Sequence, residues 1–388
     1  EGDFGRVLDL APAPAGVDRV ALTNHRQELW IVDLKHGKGK LIETSERGRM
    51  EGMSWSPDGR WLAYAFAATR TTSAIHLCDT RTGTVHEITR PEFTDFGPAF
   101  DPGGKYLYFL SHRVFDPVYD NQTFDLGFPR GVQPCLVPLG KETPSPFAAA
   151  TRTPRAPEGA ADAPDAKPDK EKKTPPKVTV DLEGIADRVV AIPVDEGRYG
   201  RILGAPNRIF FTRRPIEGAL DSAWTAEDPK PKATLLYWDL EKHKQETVKG
   251  AVSDFGLSAD GKTLLLREGD RLRVVAAGSE LKELSSGEEV GRETGWIDLD
   301  RQSIEVEPAD EWRQMCREAW RLQRDHFWTP DMSQIDWQGV HDRYLPLVDR
   351  VASRSEFSDL LWEMQGELGT SHCYELGGDY RPLEAWHQ

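Results

Sequence analysis

Between Val7 and about Ile304 the apolar residues come in short β-type runs broken by Pro, Asp, Asn and Gly, and no convincing helical period appears. The clearest runs share one plan. Trp55-Ser-Pro-Asp-Gly-Arg-Trp-Leu-Ala-Tyr64, Phe100-Asp-Pro-Gly-Gly-Lys-Tyr-Leu-Tyr-Phe109 and Leu257-Ser-Ala-Asp-Gly-Lys-Thr-Leu-Leu-Leu266 each read as a strand end, a turn, a basic residue and the next strand. The turn residues suit restricted or positive φ, so the chain can reverse there. Weaker copies lie at 16–22 and 204–211. A third strand with a charged exit follows the turn unit, as at 28–34, 74–79 and 234–240, and then a fourth, as at 39–43 and 85–89. Four strands per unit, recurring about every 43 to 45 residues in the first part, is the signature of a β-propeller blade. The pattern predicts five blades, near 7–44, 52–89, 96–193, 197–248 and 251–305. Propellers close with roughly four to eight blades, so five can be the remnant of a larger ring whose first blades precede Glu1.

Two insertions stretch the later spacing. The larger, 141–177, is rich in Pro, Ala, Asp and Lys and has no large apolar residue between Phe147 and Val178. It cannot bury enough surface to offset its ordering entropy, and a disordered loop is expected. The smaller, about 215–232, reads as an extended excursion within blade four, with Trp224 docking locally.

The period changes at Pro308. A proline and acidic residues open a helix whose apolar positions fall at Trp312, Met315, Cys316, Ala319, Leu322 and Phe327. A second helix is expected over Trp337 to Tyr344, ending before Pro346. The third opens with the capping box Ser353-x-x-Glu356 and carries Phe357, Leu360, Leu361, Met364 and Leu368 on one face. Gly369 stands where a C-cap glycine would. The expected architecture is therefore mainly β: a partial β-propeller over 1–306, a small mainly α-helical domain over 307–381, and an unmatched tail over 382–388.

Composition narrows the function classes. The net charge of −15 over 388 residues argues against a nucleic-acid or anionic-membrane surface. No apolar run approaches the roughly eighteen residues that a membrane span needs. The first thirty residues lack the shape of a signal peptide, and the start at Glu1 with an abrupt end suggests an excised piece of something longer. The four cysteines (Cys78, Cys135, Cys316 and Cys373) form no C-x-x-C pair or disulfide framework, so a reducing cytoplasm is the simplest compartment.

The candidate chemistry converges on Gly369-Thr-Ser-His-Cys-Tyr-Glu-Leu-Gly-Gly-Asp-Tyr380, where His372 sits between a hydroxyl and a thiol just after a capped helix. Such a mounting suits a catalytic base, and a polar loop histidine is the plain alternative. On an extended backbone, neighbouring side chains point to opposite sides. Ser371 and Cys373 are thus poor direct nucleophiles for His372. No G-x-S-x-G elbow occurs in the chain to supply another. His326 and His341 lie near Asp325, Asp331, Asp336 and Asp342 without a metal-ligand spacing, and no metal or cofactor is expected. Asp3-Phe4-Gly5 has no accompanying kinase motif, and Gly37-Lys-Gly39-Lys reads as a hairpin turn. Arg130, Arg213 and Arg214 stand near loop or strand ends and could line a propeller channel, although solvated arginines are commoner.

The run from Glu311 through Trp328, EWRQMCREAWRLQRDHFW, resembles the tricorn protease family, as do Ile335-Asp-Trp337, Tyr344-Leu-Pro-Leu-Val348 and Gly369-Thr-Ser-His-Cys-Tyr-Glu375. The blades, including Val180-Asp-Leu-Glu-Gly-Ile-Ala-Asp-Arg-Val-Val190, look like that family's second, seven-bladed propeller. On that resemblance the chain holds about five of seven blades and the small helical domain. His372 is then the implied general base and Ser371 a member of a Ser-His-Ser-Glu tetrad. The nucleophilic serine and the glutamate would lie in a C-terminal domain outside this chain. The resemblance further implies a serine peptidase that degrades oligopeptides from larger proteases. Its propeller would gate access, and it would assemble as a homo-hexamer and hand products to aminopeptidases. The chain alone would be inactive. The competing reading is a non-enzymatic propeller scaffold that binds peptides or protein partners.

Overall fold

The computed structural model of the chain describes residues 3–147, 175–217, 232–277, 287 and 289–375. Two compact units divide it, Glu1–Leu299 and Asp300–Gln388.

The first unit is a series of antiparallel meanders. Blade 1 comprises β1 (Val7–Pro12), β2 (Arg19–Asn24), β3 (Glu28–Asp33) and β4 (Lys38–Thr44). Blade 2 comprises β5 (Glu51–Trp55), β6 (Trp61–Ala67), β7 (Ser73–Asp79) and β8 (Thr84–Glu87). Blade 3 begins with β9 (Asp95–Phe100) and β10 (Tyr106–His112), then leaves the sheet for a hairpin, β11 (Val118–Asp120) and β12 (Asp125–Gly127). It resumes with β13 (Val132–Pro138) and β14 (Val190–Ala191). Blade 4 comprises β15 (Arg198–Ala205), β16 (Arg208–Arg214), β17 (Ala233–Asp239) and β18 (Lys244–Val252). Blade 5 has β19 (Asp254–Leu257), β20 (Thr263–Glu268) and β21 (Arg271–Ala276).

The middle strands read as nearly unbroken apolar runs because both of their faces are covered. Side chains alternate across a strand, so successive residues reach opposite neighbours. From β6, Leu62 and Tyr64 pack with Ala21, Leu29 and Ile31 of blade 1. Trp61, Ala63 and Ala65 pack instead with Leu107 and Phe109 of blade 3. From β10, Tyr108 and Leu110 meet Ile209 and Phe211 of blade 4, whose Phe210 turns to Phe255, Leu264 and Leu266 of blade 5. Burying one such side chain contributes about 1.5–3 kcal/mol. Stability is therefore spread over successive layers between blades. Where β15 crosses this packing the residue must be small: a Cβ on Gly204 would lie 2.7 Å from the Tyr108 ring.

The recurrent turns are built by one set of bonds. In the first, the Ser56 hydroxyl donates to Asp58 at 2.6 Å and accepts from the Trp61 amide at 2.9 Å, while Gly59 takes φ +67°. Ser258, Asp260, Thr263 and Gly261 repeat the same pattern at 2.6 Å, 3.0 Å and φ +66°. The Asp101 turn replaces the serine with a carboxylate that accepts from the Lys105 amide at 3.1 Å.

Three expectations change. Among the described residues blade 5 forms three ladder strands rather than four. Its outer position is taken by a short stretch in which the Val274 amide bonds Gly295 O and the Ile297 amide bonds Leu272 O. Trp296 is held there by the Arg271 and Arg273 guanidinium groups, at 3.9 and 5.1 Å from its ring centre. The 141–177 insertion is placed at its start, where the Lys141 amide bonds Asp181 Oδ2 at 2.8 Å and Phe147 meets Trp238 edge-on at 6.0 Å, and just beyond its end Val178 is fully buried with its amide bonded to Asp58. The expected disorder concerns mainly 148–174, which lie outside the described residues, as do Trp224 and the tail. The third helix also ends earlier than expected.

The second unit contains α1 (Pro308–His326), α2 (Trp337–Tyr344) and α3 (Arg354–Gly366). Its core gathers Cys316, Trp320, Trp337, Val340, Phe357 and Met364. Trp312 stacks on Phe357 at 5.9 Å. Pro346 sits at the start of a 3-10 turn, Leu345–Arg350, that ends α2. No helix among the described residues is long and apolar enough to cross a membrane.

Candidate active site

The mounting of His372 begins at Ser353. Its side chain accepts from the Glu356 amide at 3.2 Å, and Glu356 returns to the amide of Ala352 at 2.8 Å, one residue before the usual partner. The helix so started buries Phe357, Leu361 and Met364. It stops at Gly366. The Leu368 and Gly369 amides then bond Gln365 O and Gly366 O at 3.1 and 3.0 Å. Gly369, with φ +59°, reverses the chain beyond this turn and is not the C-cap of α3.

The reversed segment is moored along α3 by three consecutive residues. Cys373 packs against the helical core. The Tyr374 ring lies 5.9 Å from that of Trp362. Glu375 Oε1 lies 2.5 Å from Arg354 Nη2 at the first residue of α3, a pair with side chains only 14 and 15% exposed.

Within this segment His372 takes φ +67°, so the extended backbone expected there is absent. A left-handed non-glycine residue costs on the order of 1–3 kcal/mol and persists only where its surroundings impose it. Here the imposing contacts are those of Cys373, Tyr374 and Glu375. Ser371 and His372 are both exposed. The imidazole meets the Tyr374 ring edge-on at 5.9 Å and 88°. Neither ring nitrogen, nor the Ser371 hydroxyl, has a hydrogen-bond partner among the described residues. The structure thus brings Ser371 and His372 into one exposed, anchored corner.

The other histidines here have structural partners. His341 packs on the Trp320 ring at 4.8 Å, and its Nδ1 lies 2.8 Å from Asp342. Among the described residues no cluster of three or more His, Cys, Asp or Glu side chains could hold a metal ion. Of the arginines noted in the sequence, Arg214 lines a cleft between blades 3 and 4. Sequence reasoning missed Arg354, Trp362, Tyr374 and Glu375 as the mooring, because pairing across a chain reversal leaves no periodic signal.

A family model, the tricorn protease second beta propeller domain, matches residues 1–278, and a second, the tricorn protease C1 domain, matches 308–366. The chain belongs to the tricorn protease family. Tricorn protease homolog 1 of Streptomyces coelicolor is 41% identical over 374 residues, covering 96% of this chain and 34% of that protein. The tricorn protease homolog of Saccharolobus solfataricus is 37% identical over 97% of this chain and 32% of its own length. The solved tricorn protease superposes with a TM-score of 0.81 at 27% identity, over 98% of this chain and 35% of that one. The chain therefore spans about a third of the length of these tricorn relatives. Its propeller blades and its helical unit correspond to two of that family's domains.

Proposed function

We propose that this chain is the propeller and helical part of a tricorn-like serine endopeptidase, with His372 as general base. The observation that carries the reading is the moored, exposed, left-handed His372 beside Ser371 in a chain of this family. An imidazole with both nitrogens open can take the proton of a serine hydroxyl as that oxygen attacks a peptide carbonyl. The resulting imidazolium returns the proton to the leaving amine, and water resolves the acyl-enzyme by the same route. The serine and the glutamate belong to a further domain outside this chain. Ser371 completes the set by hydrogen bonding within it.

Under this proposal residues 1–306 form the gating propeller and 307–381 the helical domain carrying the Ser-His pair. Oligopeptides are the substrates, the assembly is a homo-hexamer in the cytoplasm, and aminopeptidases receive the products. His372→Ala in the full-length protein tests it by cleavage of fluorogenic peptides. Loss of turnover by at least about a hundredfold is expected, within the range of general acid–base catalysis. Unchanged turnover overturns the catalytic role and leaves the scaffold reading.

A further inference from the structure

A second feature lies far along the first unit from blade 1, at one end of blades 3 and 4. The start of β9, the end of β10, the starts of β13 and β15 and the end of β16 enclose a cleft of about 410 Å³. The two blades are stitched beneath it, where the Val132 amide bonds Gly197 O at 3.2 Å. Phe96 stacks on His112 at 5.4 Å on one wall. Burial holds the His112 imidazole below its usual value, so this wall is neutral at neutral pH.

The opposite wall is cationic. Arg198 and Arg214 both line the cleft. Arg198 Nη1 donates to Pro215 O at 3.3 Å, and neither guanidinium has a carboxylate partner among the described residues. That is distinctive in a chain with 64 acidic and 49 basic residues, where many arginines are paired.

The rim is apolar. The β11–β12 excursion stands next to the cleft through Phe128, whose ring lies 5.3 Å from that of Phe115. Phe115 is 80% exposed and Phe124 76%. Contiguous exposed aromatic surface beside a polar pocket marks an interaction site. Guanidinium groups select a carboxylate, which they can take in bidentate fashion.

We propose that this cleft anchors an extended peptide segment, taking its carboxylate on Arg198 and Arg214 and an adjacent apolar side chain against Phe115 and Phe128. The carboxylate is terminal or that of an Asp or Glu side chain. The assignment rests on the reading of the protein as one that handles peptides, but not on the chemistry at His372.

Three fluorescein-labelled hexapeptides test it by anisotropy on the 388-residue chain. One ends in Ala-Phe with a free carboxylate, one is its C-terminal amide, and one is the amide with Glu beside the Phe. The free acid is expected to bind at least about tenfold tighter than the plain amide, and more weakly as salt is raised. The Glu arm tells a terminal from a side-chain carboxylate. Arg198→Glu with Arg214→Glu should remove the preference for acid over amide. Phe115→Ser, at a side chain with little to lose in folding, should weaken both peptides alike. Equal binding of acid and amide to the wild-type chain overturns the proposal, as does an unaltered preference in a double variant that melts like wild type. In the full-length protein the double variant should still cleave a short blocked substrate. Failure of His372→Ala to reduce that cleavage counts against the catalytic reading alone.

Discussion

Arg354 and Glu375 meet at 2.5 Å, tying the first turn of α3 to the end of the segment that carries Ser371 and His372. With Tyr374 against Trp362, this pair makes the orientation of His372 a property of a helix rather than of a loop.

Removing the tie should loosen the histidine more than the fold. In Arg354→Ala, amide hydrogen exchange across 371–375 is expected to accelerate while the helical core stays protected. On the proposed role of His372, kcat of the full-length protein should fall by about tenfold with KM little changed, because positioning rather than substrate binding is lost. The charge swap Arg354→Glu with Glu375→Arg should recover part of it. Wild-type exchange in Arg354→Ala contradicts the mooring.

The helical unit has a second paired relationship. Trp320 Nε1 donates to Trp337 O at 2.7 Å, and Trp337 Nε1 donates to Trp320 O at 3.0 Å. Each Trp→Phe change removes one buried hydrogen bond, the carbonyl keeping its helical amide donor, at a cost of about 0.5–1.5 kcal/mol. Chemical denaturation of Trp320→Phe, Trp337→Phe and the double variant measures this. The double variant should lose less than the sum of the singles, since the two bonds hold the same pair of helices.

The sequence carried the blades because their physics is local. Alternating burial on two faces and Ser-Asp-Gly turns are set by neighbours a few residues apart, as Ser56, Asp58 and Trp61 show. The outer edge of blade 5 was not legible, because the short stretch around Trp296 takes it through two backbone bonds and through cation–π contacts with Arg271 and Arg273, more than twenty residues earlier. At the site, the Ser353 cap and the apolar face of α3 were visible in spacing, as was the candidacy of His372. Its left-handed backbone was not. That conformation goes with the contacts of Cys373, Tyr374 and Glu375 on α3, which no short-range pattern encodes.

Thiol chemistry should single out the same segment. Cys78, Cys135 and Cys316 are buried, and burial pushes the Cys78 and Cys135 thiols up to about 12. Only Cys373 is partly exposed. Alkylation of the native protein at pH 8, followed by mass spectrometry, is expected to modify Cys373 well before the others. On the proposed catalytic role of His372, the adduct should also suppress peptide cleavage by the full-length protein by crowding the imidazole. Modification of Cys78 or Cys135 at a comparable rate would contradict the packing of blades 1 to 3.

Asp79 gives the propeller an acid limit. Burial raises its carboxyl pKa, but bonds from Arg60 at 2.8 and 3.3 Å, the Arg81 amide and the charges of both arginines outweigh this and hold it below the ordinary value. The unfolded chain, with a carboxyl near 3.9, then binds the proton more readily than the folded one. The stabilisation is present in full above that unfolded value and is lost as pH falls through the depressed folded value. Asp79→Asn should therefore be less stable than wild type at pH 7, by about 2 kcal/mol for a charge-assisted bond. The gap should close on acidification below about pH 4. Thermal melts of both proteins across that range measure it, and a constant difference at every pH would show that the Asp79 charge is not what Arg60 holds.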